Sequence, residues 1–279
     1  MQPVLVHAHN PGPLTGPGNN TWLLPGRRAA LVDTGTGLAP HLNGISQRLA
    51  EHGATLTDVL VTHGHADHCS GAAALVERFG ALRFRKIPWP DHDRRYPVGW
   101  EPLADGDVVQ AGDVQLQVVH TPGHAPDHIV FWHEASRAAL VGDLVIQGQT
   151  VVIPPTHGGR LLDYLDSIRR LIAMAPSRLY PAHGPVIDDP VPLLEQYLAH
   201  RQRREEQVID AMSAGNLAIS EIIDRIYPGL HPELRMFAAE NVLAHLEKLE
   251  AERRVVRTTA EPGDRFAAVA PGAGSGSAR

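Results

Sequence analysis

Cysteine is almost missing from this chain of 279 residues: Cys69 stands alone, so neither an internal disulfide nor a cysteine-rich zinc module is available. Aromatic residues make up 5% of the sequence. No run of about eighteen apolar residues occurs, which argues against a membrane-spanning helix. The first twenty residues lack the basic stretch and apolar run of a secretory signal, so a cytoplasmic protein is expected. Positive charge is also in deficit. A net charge of −6 gives no global attraction to phosphate backbones or anionic lipid, so nucleic acid would need a local basic patch.

What is present describes a packed globular chain, with 43% hydrophobic and 20% charged residues. Histidine is the exception to ordinary usage: there are seventeen, several in glycine-punctuated turns.

Short β-branched runs at Ala29–Asp33, Asp58–Thr62, Val114–His120 and Ala138–Val141 each end at a turn signal and deliver polar residues there. Helical periodicity occupies Pro40–His52, Ser70–Phe79 and Leu161–Met174. From about Pro192 the pattern becomes nearly continuous helix, over Leu193–Ser213, Ser220–Tyr227 and Pro232–Arg253. The β-like segments Val255–Thr259 and Arg265–Val269 follow, a winged-helix pattern. A layered α/β domain over 1–190, a winged-helix domain over 191–269 and a disordered tail over 270–279 are expected.

The chemistry is concentrated in Thr62-His63-Gly64-His65-Ala66-Asp67-His68, directly after the apolar Val59-Leu60-Val61. Imidazole and carboxylate at this density suit a borderline divalent metal such as zinc. Positions 63 and 65 put two rings on one side of an extended segment, while 67 and 68 begin a helix. Gly64 and Ala66 keep the intervening positions small. Further donors recur at strand ends: His124 in TPGH, Asp143 in VGD and His183 in AHGP.

This ordered set resembles the metallo-β-lactamase superfamily, which implies an αββα sandwich. The resemblance further implies that His63, His65 and His124 hold one metal, that Asp67, His68 and His183 hold a second, and that Asp143 bridges them. Zinc is the expected ion, although manganese and iron accept the same donors. A metal-bridging hydroxide would be the nucleophile, oriented by Asp67. Asp33, in LVDTG, matches an early strand-turn motif and would hold the ligand loop by hydrogen bonds. His128 is assigned a structural role, since the metal positions are already filled. Cys69 is read as a small buried packing residue, although its place at a helix start is one that can lower a thiol pKa.

Within the superfamily the chain resembles the β-lactamase-like protein 2 family, through Asn10-Pro11-Gly12-Pro13 with Asn20-Thr21, TPGHAPDHI, and QYLAHRQRREEQVI after AHGP. It differs in having Gly64 where a bulky aromatic is common and Cys69 where serine is common. The resemblance implies a single-stranded RNA endonuclease or an acyl-carrier-protein thioesterase. A true β-lactamase is disfavoured, because the resemblance implies cysteine at position 143 in one zinc β-lactamase branch and no bridging acid in others. A glyoxalase II would need a different C-terminal region for glutathione, and a non-catalytic metal-binding regulator would be marked by a lost ligand, which is not found. For RNA, Arg83-Phe84-Arg85-Lys86 through Trp89 to Arg94-Arg95-Tyr96 interleaves basic and aromatic residues. A solvated connecting segment explains that pattern slightly better. The winged helix carries nine Lys or Arg against eleven Asp or Glu over residues 191–260, so DNA binding is not expected. A lid over the site or a dimer contact is the expected role, with Leu234, Phe237, Val242, Leu246 and Leu249 on one buried helix face.

Overall fold

Alternation of apolar residues along the strands decides the architecture, because in each central strand both faces are buried. In a computed structural model describing residues 1–12, 15–259 and 263–269, two six-stranded sheets pack face to face. The expected disordered tail lies outside the described residues. The first sheet runs in chain order through β1 (Val4–His7), β2 (Asn20–Leu24), β3 (Arg28–Val32), β4 (Thr55–Leu60), β5 (Arg83–Lys86) and β6 (Trp100–Pro102). The second runs through β7 (Val108–Ala111), β8 (Val114–His120), β9 (Ile129–His133), β10 (Ala138–Gly142), β11 (Arg178–Pro181) and β12 (Ile187–Asp188).

Ala30 and Val32 of β3, Phe131 of β9 and Leu140 of β10 point between the sheets. Their neighbours Ala29 and Leu31 point to the opposite face, against Ile45 and Leu49 of α1 (Ala39–Glu51) and Leu75 of a later helix. Val130, Trp132, Ala139 and Val141 point away from the first sheet, towards the outer helices of the second. The period of two along each strand thus yields four layers, the αββα sandwich expected from the sequence.

After β4 come α2 (Ala66–Cys69) and α3 (Ala72–Phe79), where a single helix over 70–79 is expected from periodicity. Gly71 separates them, and its backbone lies so close to the Thr34–Gly37 turn that a Cβ there would sit 2.8 Å from Gly37 N. The remaining helices are α4 (Pro90–Asp93), α5 (Leu161–Ala173), α6 (Pro190–Ala211), α7 (Ile219–Ile226) and α8 (Arg235–Ala251), followed by the hairpin β13 (Val255–Thr258) and β14 (Arg265–Ala268). Leu194 and Tyr197 of α6 pack with α5 and the second sheet, whereas its Val208 and Ala211 join Ile222, Val242, Leu246 and Phe266 in the winged-helix core. Buried Arg201 strengthens this junction by donating to Asn241 Oδ1 at 3.2 Å and to the Val151 carbonyl at 2.5 Å. Among the described residues no helix is long and apolar enough to cross a membrane.

Two expectations change. Arg83–Lys86 is not a solvated connection but strand β5, flanked in parallel by β4 and β6. The expected α8 face divides: Val242, Leu246 and Leu249 are buried, Phe237 is half-buried, and Leu234 is 46% exposed. The division arises because the start of this helix projects past its own core towards the strand ends of the sandwich.

Thr21 donates to the Val6 carbonyl at 2.8 Å, so its hydroxyl oxygen accepts from His41 Nε2, also at 2.8 Å. Burial first, then His9 and His7, push the His41 pKa from 6.5 down to about 4. The unfolded chain therefore binds a proton in that window which the folded chain excludes, so stability falls as pH drops from 6.5 towards 4. Chemical denaturation should show that His41→Gln, which retains a donor to Thr21, loses less stability across this window than wild type, by up to ~3 kcal/mol. Parallel curves would exclude His41 as an acid-labile position.

Candidate metal centre

Parallel pairing of β3 with β4 and of β10 with β11 sends four successive turns to one edge of the sandwich. Asp33 follows β3, the His63–His68 segment follows β4, Asp143 follows β10 and His183 follows β11. The β8–β9 connection adds His124 and His128 at the same edge.

Asp33 organises the first turn. Its buried carboxylate accepts from Thr62 N at 2.8 Å and Thr62 Oγ1 at 3.0 Å, and from His68 Nδ1 at 2.8 Å. Placing the His68 proton on Nδ1 leaves Nε2 free to face Asp143 Oδ1 at 3.4 Å and Asp67 Oδ2 at 3.5 Å. Asp33 itself has φ +66°, a left-handed conformation that aspartate tolerates better than most residues.

Seven side chains form two groups whose donor atoms lie within 4.8 Å of one another in each: His63, His65 and His124, then Asp67, His68, Asp143 and His183. In the first group, His65 Nδ1 is 2.9 Å from His63 Nε2 and 3.0 Å from His124 Nε2. His63 Nδ1 lies 3.1 Å from Thr62 Oγ1, and His124 Nδ1 donates to the Val152 carbonyl at 2.8 Å. With those protons placed elsewhere, His65 can donate to at most one of the two rings, and the converging lone pairs fit a cation. Between the groups, Asp143 directs Oδ1 to His183 Nε2 at 3.2 Å and Oδ2 to His124 Nε2 at 3.7 Å. Asp143 Oδ1 is buried without a hydrogen-bond partner, as suits a metal-directed oxygen.

Burial and neighbouring rings push His63 well below its ordinary pKa and His65 down to about 3. Unprotonated imidazoles are the form a metal needs. On the other side, burial opposes charge on His183, but the Asp143 and Asp67 carboxylates outweigh it and raise the pKa to about 10. The uncompensated acids thus call for positive charge at this point.

His128 lies beside the donors but is engaged elsewhere: Nδ1 lies 2.9 Å from Thr121 Oγ1, and Nε2 accepts from Asp143 N at 3.2 Å. It thereby holds the Asp143 backbone. Cys69 is fully buried with Sγ 3.4 Å from the His63 carbonyl, and burial raises its thiol pKa well above normal. Desolvation outweighs any helix-start effect on this residue.

Sequence reasoning missed Asn19, which donates from Nδ2 to Asp67 Oδ2 at 2.9 Å. Asn10 locks it from behind, donating to Asn19 Oδ1 at 2.7 Å and accepting from Asn19 N at 2.9 Å. Their position in an Asn-Gly-Pro-rich segment was the available signal. Lys86, read from the sequence as part of a basic solvated stretch, is instead fully buried, and its Nζ meets Asp93 at 2.6 Å and Asp127 at 2.9 Å. Asp93 in turn accepts from Trp89 N at 2.8 Å, and Trp89 stacks on His92 with ring centroids 3.4 Å apart. A Cβ on Gly64 would lie 3.0 Å from Trp89, so the indole already borders the space a larger residue at 64 would take.

Two cavities flank the donors. One of about 710 Å³ is bordered by Asn10, Thr15, Asp67, His92, Arg95 and His157; the other, about 300 Å³, lies against Asp143 and His183. His124 and Phe237 of α8 border both. The winged helix therefore supplies part of the wall around the site.

Comparison with known proteins accords with this geometry. The metallo-beta-lactamase superfamily model matches residues 14–183, and the beta-lactamase associated winged helix domain matches 218–264. The chain belongs to the metallo-beta-lactamase superfamily and is a hydrolase of that group. It is 32% identical over 250 residues to a beta-lactamase-like protein 2 homolog of Caenorhabditis elegans, covering 88% of this chain and 82% of that one. It is 33% identical over 266 residues to the atrochrysone carboxyl ACP thioesterase of Aspergillus chevalieri, covering 90% and 82%. A crystal structure of a metallo-beta-lactamase family protein from Thermus thermophilus aligns with a TM-score of 0.81 at 25% identity, covering 96% of this chain and 98% of that one.

Removal of a carboxamide that orients a metal-directed carboxylate typically costs 10- to 100-fold. Asn19→Ala should lower kcat on any hydrolysed substrate by about that factor while leaving the melting temperature within a few degrees. Unchanged turnover would dismiss Asn19 as a positioning residue.

Proposed function

We propose that the chain is a dinuclear-metal hydrolase of acyl thioesters, with His63, His65 and His124 holding one divalent ion, Asp67, His68 and His183 the other, and Asp143 shared. The observation that carries the two-metal reading is Asp143, whose two carboxylate oxygens face the two donor groups separately. Zinc fits this donor set, and manganese or iron fits it as well. When bound, the ions would supply Lewis-acid charge and make a water acidic enough to act near neutral pH.

The chain's own residues position that chemistry. Asp33 holds His68 in the tautomer that offers Nε2, the Val152 carbonyl does the same for His124, and His128 fixes the Asp143 backbone. Asp67 is the proposed catalytic carboxylate. Asn19 engages its Oδ2, while Oδ1 has no hydrogen-bond partner among the described residues and is free to orient the attacking water and take its proton.

Thioester is favoured over RNA because the strand part of the basic segment, Arg83 to Lys86, is already paired within the fold. Arg83 contacts Asp58 at 2.7 Å, Arg85 contacts Glu101 at 3.0 Å, and Lys86 is fully buried. Those charges are not offered to a phosphate chain. A relative named as an acyl-carrier-protein thioesterase supports the same reading.

The test is to measure bound metal and to assay the protein on an acyl-CoA panel, single-stranded RNA and a simple phosphodiester, with an Asp67→Ala, His68→Ala double variant as control. Thioester turnover that vanishes in the control is expected, as is its loss on chelation and return on adding metal. RNA cleavage that vanishes in the control, without thioester turnover, would overturn the substrate class. Separately, Asp143→Ala should drop metal content from about two to about one per chain and abolish hydrolysis. Two retained metals with full turnover would remove the bridging assignment.

A further inference from the structure

The two cavities differ in chemistry as well as size. The smaller has no charged side chain other than His124, Asp143 and His183 themselves, and much of its wall is Val145, Ile146, Val151, Leu230, Leu234 and Phe237. Its amide Asn241 is already committed: Oδ1 accepts from Arg201 at 3.2 Å and from Ile153 N at 3.3 Å, and Nδ2 donates to the Phe237 carbonyl at 3.2 Å. Gln149, Thr150 and Tyr227 add polar atoms to the wall, and the rest is a mainly apolar recess ending at the donor groups. The larger cavity is bordered by Arg95, His92, His157, Asn10 and Thr15, and by Glu240, whose carboxylate accepts from Thr156 N at 3.3 Å and Thr156 Oγ1 at 2.6 Å. Arg95 has no carboxylate within ion-pair distance among the described residues, in contrast to Arg83, Arg85 and Lys86.

We infer that a thioester lies across the site with its acyl group in the smaller, winged-helix-walled cavity and its phosphate-bearing thiol arm in the larger cavity beside Arg95. This rests on the thioesterase reading and assigns the specificity of the same site. Hydrolysis adds the oxygen of water to the carbonyl carbon and breaks the carbon–sulfur bond. The acid leaves from the apolar cavity and the thiol, after gaining a proton, from the other. A volume of about 300 Å³ holds about ten non-hydrogen atoms at ~30 Å³ each. The acyl groups that fit are therefore medium chains or a pair of fused rings. Val145, Ile146 and Val151 of the loop after β10 and residues of the winged helix set that limit. Exposed Leu234 and Met236 extend apolar surface beside the cavities on the winged-helix side.

The experiment uses the metal-loaded full chain with saturated acyl thioesters of increasing length, each made both with coenzyme A and with N-acetylcysteamine, which lacks the phosphates. In wild type kcat/KM should rise by up to about fourfold per added methylene and then level or fall near ten carbons. Leu230→Trp should move the optimum to shorter chains. Leu234→Trp, at an exposed position that folding tolerates, provides the same readout should the first variant prove unstable. Arg95→Ala should raise KM about tenfold for coenzyme A thioesters and leave N-acetylcysteamine thioesters unchanged. Chain-length profiles that stay in place in both tryptophan variants, or an Arg95 effect equal on both thiol arms, would overturn the assignment. Thioester hydrolysis with an unresponsive profile refutes only this placement, whereas metal-dependent RNA cleavage without thioester turnover refutes the thioesterase reading beneath it.

Discussion

The buried carboxylate of Asp33 is the interaction on which the site depends. It lies at the end of β3, accepts from both the backbone and the hydroxyl of Thr62 at the end of β4, and captures the Nδ1 proton of His68. One side chain thereby ties two parallel strands at their C-terminal ends and chooses the tautomer of a metal-directed histidine. Such a carboxylate is costly to bury unless its hydrogen-bonding capacity is met, and here the partners are themselves site elements. The same logic recurs across the site, with the Val152 carbonyl for His124, His128 for the Asp143 amide and Asn19 for Asp67.

The winged helix is built into this arrangement rather than appended to it. Through α6 it shares a helix with the sandwich, and through Arg201 and Asn241 it grips the stretch at Val151–Ile153 whose neighbouring carbonyl orients His124. A perturbation of the winged-helix core therefore has a short physical route to the donor set. Phe237 and its neighbours contribute shape to the site, which requires no charge.

Charge is distributed according to burial. Lys86, Asp93 and Asp127 form a buried set that anchors the Trp89–His92 wall, and Arg83 and Arg85 neutralise buried Asp58 and the edge residue Glu101. Breaking such a set by removing one partner would leave an unpaired buried charge, so these residues serve structure before recognition.

Much of this was legible in the sequence because it is local. The apolar runs Ala29–Val32 and Ala138–Val141 specify strands buried on both faces, and the spacing of His63, His65, Asp67 and His68 places four donors on one turn whatever surrounds them. The winged-helix pattern was equally local, as helical periods followed by a short hairpin. Other features were decided by tertiary structure, since they join residues distant in the chain. Arg83–Lys86 reads as a basic, solvent-facing stretch until β4 and β6 enclose it and Asp58, Asp93 and Asp127 meet its charges. Asn19 becomes a partner of Asp67 only when β2, which it precedes, joins the same sheet as β4, which leads into the Asp67 turn. Leu234 and Phe237 follow a helical period indistinguishable from that of a core face, and only the docking of α8 over the strand ends turns them into cavity wall. The sequence by itself determined which atoms can ligate and which strands present them. Packing alone decided what shape surrounds those atoms, because a cavity is made by surfaces that sequence distance keeps apart.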